Sequence, residues 1–246
     1  MKEKVELNGI ILGSYPVRDY DKRVVILTKE RGKITAFANG ARKMNSSFSG
    51  ITEPFNYGTF SLYEGYDAYR FAGGDINEYF QEVKNDIEAI CYGSYFCEIL
   101  EYLCVEGIGD ADVLNLLYLS LKALEKKIIP NNLIRRIFEL KILALDGEMM
   151  AAFSCAKCGE SNVSAFAASY NGLVCPECEK YVADAYPLQE STVYTIQYIL
   201  SSPINKLFSF SIKNDVFDEL DHVVGTYFAK HISKNFKSLE ILSTLS

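Results

Sequence analysis

Four cysteines stand in two pairs, Cys155-x2-Cys158 and Cys175-x2-Cys178, sixteen residues apart. Each pair turns two sulfurs toward one point, and together they supply the four thiolates that a tetrahedral zinc ion takes. Gly159, directly after the first pair, permits that turn, whereas Glu179 follows the second. The intervening VSAFAASYNGLV reads as a short hairpin with Asn171-Gly172 at its turn, which brings the pairs together. Four thiolates fill the ion and leave no position for water or substrate, while a zinc hydrolase or deaminase needs an open position and a general base beside it. The two histidines, His222 and His231, lie in neither an H-x-E nor an H-E-x-x-H context. One structural zinc ion is the expectation, four unlinked thiols or a redox dithiol the alternative, and a metal enzyme is disfavoured. The other cysteines, Cys91, Cys97 and Cys104, read as small apolar core residues.

A second constellation is electrostatic. The chain has 246 residues and a formal net charge of −7, which weighs against nucleic acid as a partner. The average hides a split. Residues 1–72 carry 11 basic and 8 acidic side chains, net +3, and the remainder 14 and 24, net −10. Eight cations fall within residues 18–43, namely Arg18, Lys22, Arg23, Lys29, Arg31, Lys33, Arg42 and Lys43. Arg42 and Lys43 open a polar loop, ARKMNSSFSGIT. A positive groove with aromatic faces is what single-stranded nucleic acid requires. Phe37, Phe48, Tyr57, Tyr63, Tyr66 and Tyr69 are the candidate faces, against the alternative that they fill a core.

The elements that must position these groups change character along the chain. VELNGIILGSY, RVVILTKE, GKITAFANG, PFNYGTFSLYEG and YDAYRFAGG read as five strands. Glu30-Arg31-Gly32 marks a hairpin, and Gly58, where the aromatic alternation changes phase, marks a bulge. Five short strands in about 75 residues predict a small closed barrel of the OB type. Helices follow. Asp75 with Glu78 reads as a capping box that opens a helix through Ile76, Phe80, Val83, Ile87 and Ile90, kinked or ended at Gly93. Asp112 is the expected cap of VLNLLYLSLKALEKK, stopped by Pro130, and NLIRRIFELKILAL up to Gly147 is the expected central helix. STVYTIQYILSS and a long helix from about Asn214 to Asn235 complete the chain. The expected fold class is therefore α+β, an N-terminal OB-fold β-barrel followed by a mostly helical domain carrying a small four-cysteine zinc insert. The expected limits are a nucleic-acid-binding barrel over 1–74, a helical domain over 75–150, the zinc insert over 151–183 and a helical segment over 184–246.

MKEKVELNGI lacks the apolar core of a secretory signal, and no run of about 18 apolar residues could span a bilayer. The expected location is cytoplasmic, without membrane contact, where seven cysteines stay reduced.

GIILGSYPVRDYDKRVVILTKERGKITAFANGARK followed by PFNYGTFSLYEG resembles the N-terminal barrel of the RecO family of bacterial recombination-repair proteins. Its pattern stands here as Asp21-Lys22, VVILT, Gly32-Lys33 and Gly40-Ala41-Arg42-Lys43. NLIRRIFELKILALDG, CAKCG, GLVCPEC and HISKNFKSLEIL extend the resemblance over essentially the whole chain. The resemblance implies a DNA repair and recombination mediator, not an enzyme. Such a mediator binds single- and double-stranded DNA and anneals complementary strands. With RecR it helps load RecA onto strands coated by single-strand-binding protein (SSB), and it acts at the nucleoid during repair. It also implies a helical domain that takes the acidic C-terminal tail of SSB, for which Arg135 and Arg136, or Lys126 and Lys127, are the candidates. Asn39, Met44, Asn45 and Asn235 stand where the family often carries basic residues or flanks them, which implies reliance on RecR. The competing expectation from another class is a zinc-ribbon adaptor whose barrel binds a partner peptide and no nucleic acid.

Overall fold

β-Branched and aromatic residues in alternation, broken by Gly-containing turns, dominate the first eighty residues, and in the computed structural model they form five strands. Residues 3–244 are described; Met1, Lys2, Leu245 and Ser246, at the outer limits of the expected domains, lie outside them. The strands are β1 (Lys4–Val17), β2 (Asp21–Thr28), β3 (Gly32–Ala38), β4 (Tyr57–Tyr63) and β5 (Tyr69–Glu78), closed as a barrel in the order β1-β2-β3-β5-β4. Inward positions at period two, among them Leu7, Ile11, Val24, Ile26, Ile34, Phe60, Leu62 and Phe71, form its interior. The expected hairpin is present, with Gly32 at φ 65° after the turn. So is the bulge. The β4–β5 register slips between Tyr57 and Gly58, where a Cβ would stand 2.1 Å from the Asp75 carbonyl oxygen. Only glycine admits that approach.

The chain divides into two compact units, Met1–Lys126 with Phe236–Ser246, and Lys127–Asn235. In the first, the barrel is joined by α1 (Gln81–Lys84), α2 (Ile87–Leu103), α3 (Ala111–Lys126) and, from the far end of the sequence, α8 (Lys237–Leu242). α8 packs on α2, and Phe236 meets Tyr95 edge to face at 5.1 Å. The outer face of β1 lies against α2 and α3, which buries Ile10 and Leu12. The contacts therefore group α2 and α3 with the barrel, where composition had suggested a line at 74/75.

Several expected helix limits move. Asp75 and Glu78 do not cap a helix, because both belong to β5, which β4 holds by hydrogen bonds as far as Glu78. Long-range pairing overrides the local signal there. The cap is instead Asp86, whose carboxylate accepts from the Glu88 and Ala89 N–H groups. Gly93 does not end the helix. α2 runs through it, and glycine stands there because Phe55 and Leu121 come close to the place a side chain would need. Asp110, not Asp112, caps α3, accepting from the N–H groups of Asp112 and Val113. α3 ends at Lys126, ahead of Pro130, and Lys127 takes a left-handed conformation.

The second unit centres on α4 (Asn131–Leu145), packed by α6 (Glu190–Ser201) and α7 (Asn214–His231). α7 stops at His231, four residues short of expectation. α4 is buried as its sequence suggests, yet it carries three charged groups inward. Glu139, fully buried, accepts from Arg135 Nε at 2.7 Å and Arg136 Nη1 at 2.6 Å, and Arg136 Nε reaches Asp221 on α7 at 2.6 Å. Lys141 Nζ donates to the carbonyls of Ile199, Leu200 and Ser202 and so closes the C-terminus of α6. Between α4 and α6 lies the cysteine segment, with β6 (Ala165–Ala167), β7 (Gly172–Val174), the single-turn helix α5 (Pro176–Glu179) and β8 (Ala185–Pro187). The sheet order is β7-β6-β8, so the expected hairpin gains a third strand.

Removing one partner of a buried ion pair strands the other. Glu139→Ala should therefore lower the stability of the second unit by about 3–5 kcal/mol, read as lost hydrogen-exchange protection in α4 and α7. Unchanged protection would show that both guanidinium groups find water instead.

Candidate metal centre and nucleic-acid interface

The cysteine segment folds so that four sulfurs converge. The Sγ atoms of Cys155, Cys158, Cys175 and Cys178 all lie within 4.8 Å of one another, with Cys158 and Cys175 3.7 Å apart. A tetrahedral ion with bonds of about 2.3 Å sets sulfur–sulfur edges of about 3.8 Å. The first knuckle is closed by Gly159 N–H donating to the Cys155 carbonyl at 2.8 Å. The second needs no glycine because it is a helical turn. Pro176 opens α5, and Glu179 N–H donates to the Cys175 carbonyl at 2.9 Å. β7 ties the knuckles together, its Leu173 carbonyl accepting from Ala156 N–H.

The thiols are tuned unequally. Burial disfavours the Cys155 thiolate, but backbone N–H groups of Cys175, Cys158 and Lys157 outweigh it and bring that thiol down to about 6. Burial and the neighbouring sulfurs push Cys178 up to about 12. Negative sulfurs this close repel one another, so all four ionise together only around a cation. The cluster can hold a metal ion, and four thiolates offer it no free position for chemistry.

The eight cations of the barrel are not one patch. Arg18, Lys22, Arg23, Arg42 and Lys43 gather where β2 begins and β3 ends, while Lys29, Arg31 and Lys33 sit at the β2–β3 turn, the other end of those strands. Two of the eight are neutralised. Lys22 Nζ is 2.7 Å from Glu53, and Arg31 pairs with Glu64 and donates to the Tyr69 hydroxyl. Lys33 is spent on the Glu101 carbonyl. Arg42 holds a turn in place. Its guanidinium reaches the carbonyls of Asp19 and Arg18 at 3.2 and 3.4 Å, and its backbone N–H reaches that of Tyr20. Gly40 N–H donates to the Asp21 carboxylate at 2.8 Å. The Gly40–Lys43 loop is thereby stitched to the β1–β2 turn, and a cleft of ≈430 Å³ opens between them, lined by Arg18, Asp19, Tyr20, Asp21, Asn39, Gly40 and Lys43.

Of the candidate aromatic faces, Phe48 packs edge to face on Phe71, Tyr57 lies tilted against Tyr118, and Tyr69 is buried beside Arg31. Phe37 and Tyr66 remain exposed. The sequence reading overlooked Tyr15, Tyr20 and Arg70. Their signal was the register, which composition does not carry. In the second unit, Arg136 is only 8% exposed and is committed to Glu139 and Asp221, while Arg135 leans on Glu139 from nearer the surface. A groove of ≈730 Å³ runs along α6 past Tyr194, Tyr198 and Phe210, and none of the four expected tail-binding cations lines it.

Two family models match the chain. The one described as Recombination protein O N terminal covers residues 1–80, and the one described as Recombination protein O C terminal covers residues 84–240. The chain belongs to the RecO family. It is 29% identical over 243 residues to the DNA repair protein RecO of Acetivibrio thermocellus, covering 98% of this chain and 97% of that protein. The protein of the same name from Alkaliphilus metalliredigens is 29% identical over 240 residues, with 96% and 98% covered. That of Symbiobacterium thermophilum is 28% identical over 244 residues, with 97% and 96% covered. The RecO-family boundary between the two matches falls at residues 80–84, where β5 has ended and the helices begin. No described helix is long and apolar enough to cross a membrane.

Cys175→Ser should abolish stoichiometric metal and loosen the segment from Ala151 to Pro187, seen by elemental analysis together with hydrogen exchange. Full metal occupancy in that variant would overturn the four-thiolate assignment.

Proposed function

We propose that this RecO-family chain is a recombination mediator rather than an enzyme. On this reading it binds single- and double-stranded DNA and anneals complementary strands. With RecR it helps load RecA onto SSB-coated single strands, in the cytoplasm and at the nucleoid during repair. One observation carries the DNA part. Arg18, Arg42 and Lys43 line or brace a cleft on the barrel with Arg23 beside it, and none of these four stands in an ion pair among the described residues. Cations without carboxylate partners are free to replace the counterions of a phosphate backbone. Lys22 and Arg31, paired to Glu53 and Glu64, contribute little, Lys33 is held by the Glu101 carbonyl, and Lys29 stands apart at the far turn.

The ion at the four cysteines is, on this reading, one structural zinc. It gives a segment of three-residue strands the cohesion that its small core does not supply. For the SSB tail, with Arg136 assigned to the interior and Arg135 paired with Glu139, the exposed candidates are Lys126 and Lys127. An acidic segment ending in a carboxylate is matched by such groups.

Arg42→Ala combined with Lys43→Ala should weaken single-strand binding across all sequences. It should also flatten the dependence of log affinity on log salt by about 1.4, from about 0.7 per lost phosphate contact. Fluorescence anisotropy over a salt titration measures both. An unaltered slope would remove the loop from the interface, and a wild-type chain with no affinity for oligonucleotides would point to the peptide-binding adaptor.

A further inference from the structure

Strand register places five side chains in one line on the outside of the barrel. Tyr15 stands opposite Arg23, Arg23 opposite Phe37, Phe37 opposite Arg70 and Arg70 opposite Tyr63. Directly opposed residues share a face of a sheet. The neighbours of this line in sequence, Val24, Ala36, Tyr69 and Leu62, belong to the barrel interior. The whole line therefore points outward. It crosses all five strands, about 19 Å at about 4.8 Å per step. Because strands of a closed barrel are tilted and staggered, it climbs the barrel wall as it turns.

The composition of the line is alternating, aromatic then cationic. Arg23 Cζ lies 4.7 Å from the centre of the Tyr15 ring, and Arg70 Cζ lies 4.8 Å from that of Tyr63. Each guanidinium is thus laid over a ring and held there by the ring's negative face. The Tyr15 hydroxyl is in turn fixed by Glu101 at 2.7 Å. Neither arginine is ion-paired among the described residues, in contrast to Lys22 and Arg31. Between the two stacked pairs, Phe37 is 38% exposed, and no other described ring packs on it. An open ring flanked by two guanidinium groups, each over a tyrosine, adds nothing to the barrel interior, which is already filled from the other face.

We propose that this line is a stacking platform for single-stranded nucleic acid. Bases lie on Arg23 over Tyr15, on Phe37, and on Arg70 over Tyr63, with the nucleic-acid strand running across the β-strands. Arginine planes and aromatic rings both accept a base face. Prior stacking on tyrosine fixes the guanidinium groups before any ligand arrives, which lessens the ordering cost of binding. The cleft with Arg18 and Lys43 lies at the same ends of β2 and β3 as Arg23 and Phe37, so phosphates leaving the platform meet it. Duplex bases hide their faces in their own stack, so a duplex meets only the charges. The platform therefore gives the barrel a preference for unpaired strands. This inference rests on the nucleic-acid reading above and adds to it the chemical basis for telling one strand form from the other.

The test uses the full chain, a labelled single-stranded oligonucleotide and its duplex. Phe37→Leu should weaken single-strand binding roughly five- to a hundredfold, leaving the salt slope and duplex affinity as in the wild type. The protein contains no tryptophan, so Phe37→Trp installs a lone indole at the centre of the line. Its fluorescence should be quenched by the single strand and not by the duplex. The platform is overturned by wild-type single-strand affinity in Phe37→Leu or by equal losses for both nucleic-acid forms. It is also overturned by an unquenched indole when anisotropy shows the single strand bound. Those results leave the cationic cleft standing. A wild-type chain that binds neither form at low salt would remove the underlying reading as well.

Discussion

A five-stranded barrel exists only if β3 meets β5, and here the two touch over two residue pairs, Ala36 with Tyr69 and Phe37 with Arg70. That brief parallel contact decides what the rest of the first unit can be. It turns Ala36 and Tyr69 into the interior, where the Tyr69 hydroxyl takes a hydrogen bond from Arg31. It sets Phe37 beside Arg70 on the outside. The long connection from β3 to β4 then sends Phe48 and Ile51 to pack onto the interior cluster, and leaves its first residues to be stitched against the β1–β2 turn. One closure thus produces a filled core, an outward line of rings and guanidinium groups, and a cationic cleft.

The electrostatic problem posed by a chain of net charge −7 is resolved by position rather than by number. Carboxylates are not kept away from the barrel. Glu53 and Glu64 each take a cation, and Glu30 binds Asn8 instead. Four of the cations that no carboxylate neutralises among the described residues, Arg18, Arg23, Arg42 and Lys43, are gathered at one end of β2 and β3. At separations beyond about 8–10 Å, salt screens the distant anionic surface far more than the contacts within the cleft. A small group of well-placed cations can therefore act against the average.

The barrel and the metal cluster were legible in the sequence because both are written locally. Period-two alternation marks strands, Gly32 and Gly58 mark a turn and a bulge, and two Cys-x-x-Cys pairs at sixteen residues mark the ligands. The limits of helices were less legible. Asp75 and Glu78 carry a capping pattern but lie next to β4, whose hydrogen bonds outcompete a helix start. Gly93 looks like a breaker and is a packing site for Phe55. The fates of charges were least legible of all. Arg135 and Arg136 read as surface groups, yet Glu139, three to four residues on, and Asp221, far along the chain, draw Arg136 inside. Likewise no window of sequence shows that Tyr15, Arg23, Phe37, Arg70 and Tyr63 adjoin, since each neighbour comes from a different strand.

α7 carries a glycine, Gly225, in its interior, where a helix is about 1 kcal/mol weaker than with alanine. An added Cβ there would stand 3.1 Å from Arg136 Nη2. At this point of α7 the nearest neighbour is therefore a guanidinium and not a hydrocarbon side chain. Side chains of many shapes can fill an oily gap, but a guanidinium tolerates a close neighbour only along directions its hydrogen bonds leave open. A methyl group at Gly225 would require the Arg136 guanidinium to give by a few tenths of an ångström against its hydrogen bonds to Glu139 and Asp221, so this position answers to the charge network of another helix more than its modest local role suggests.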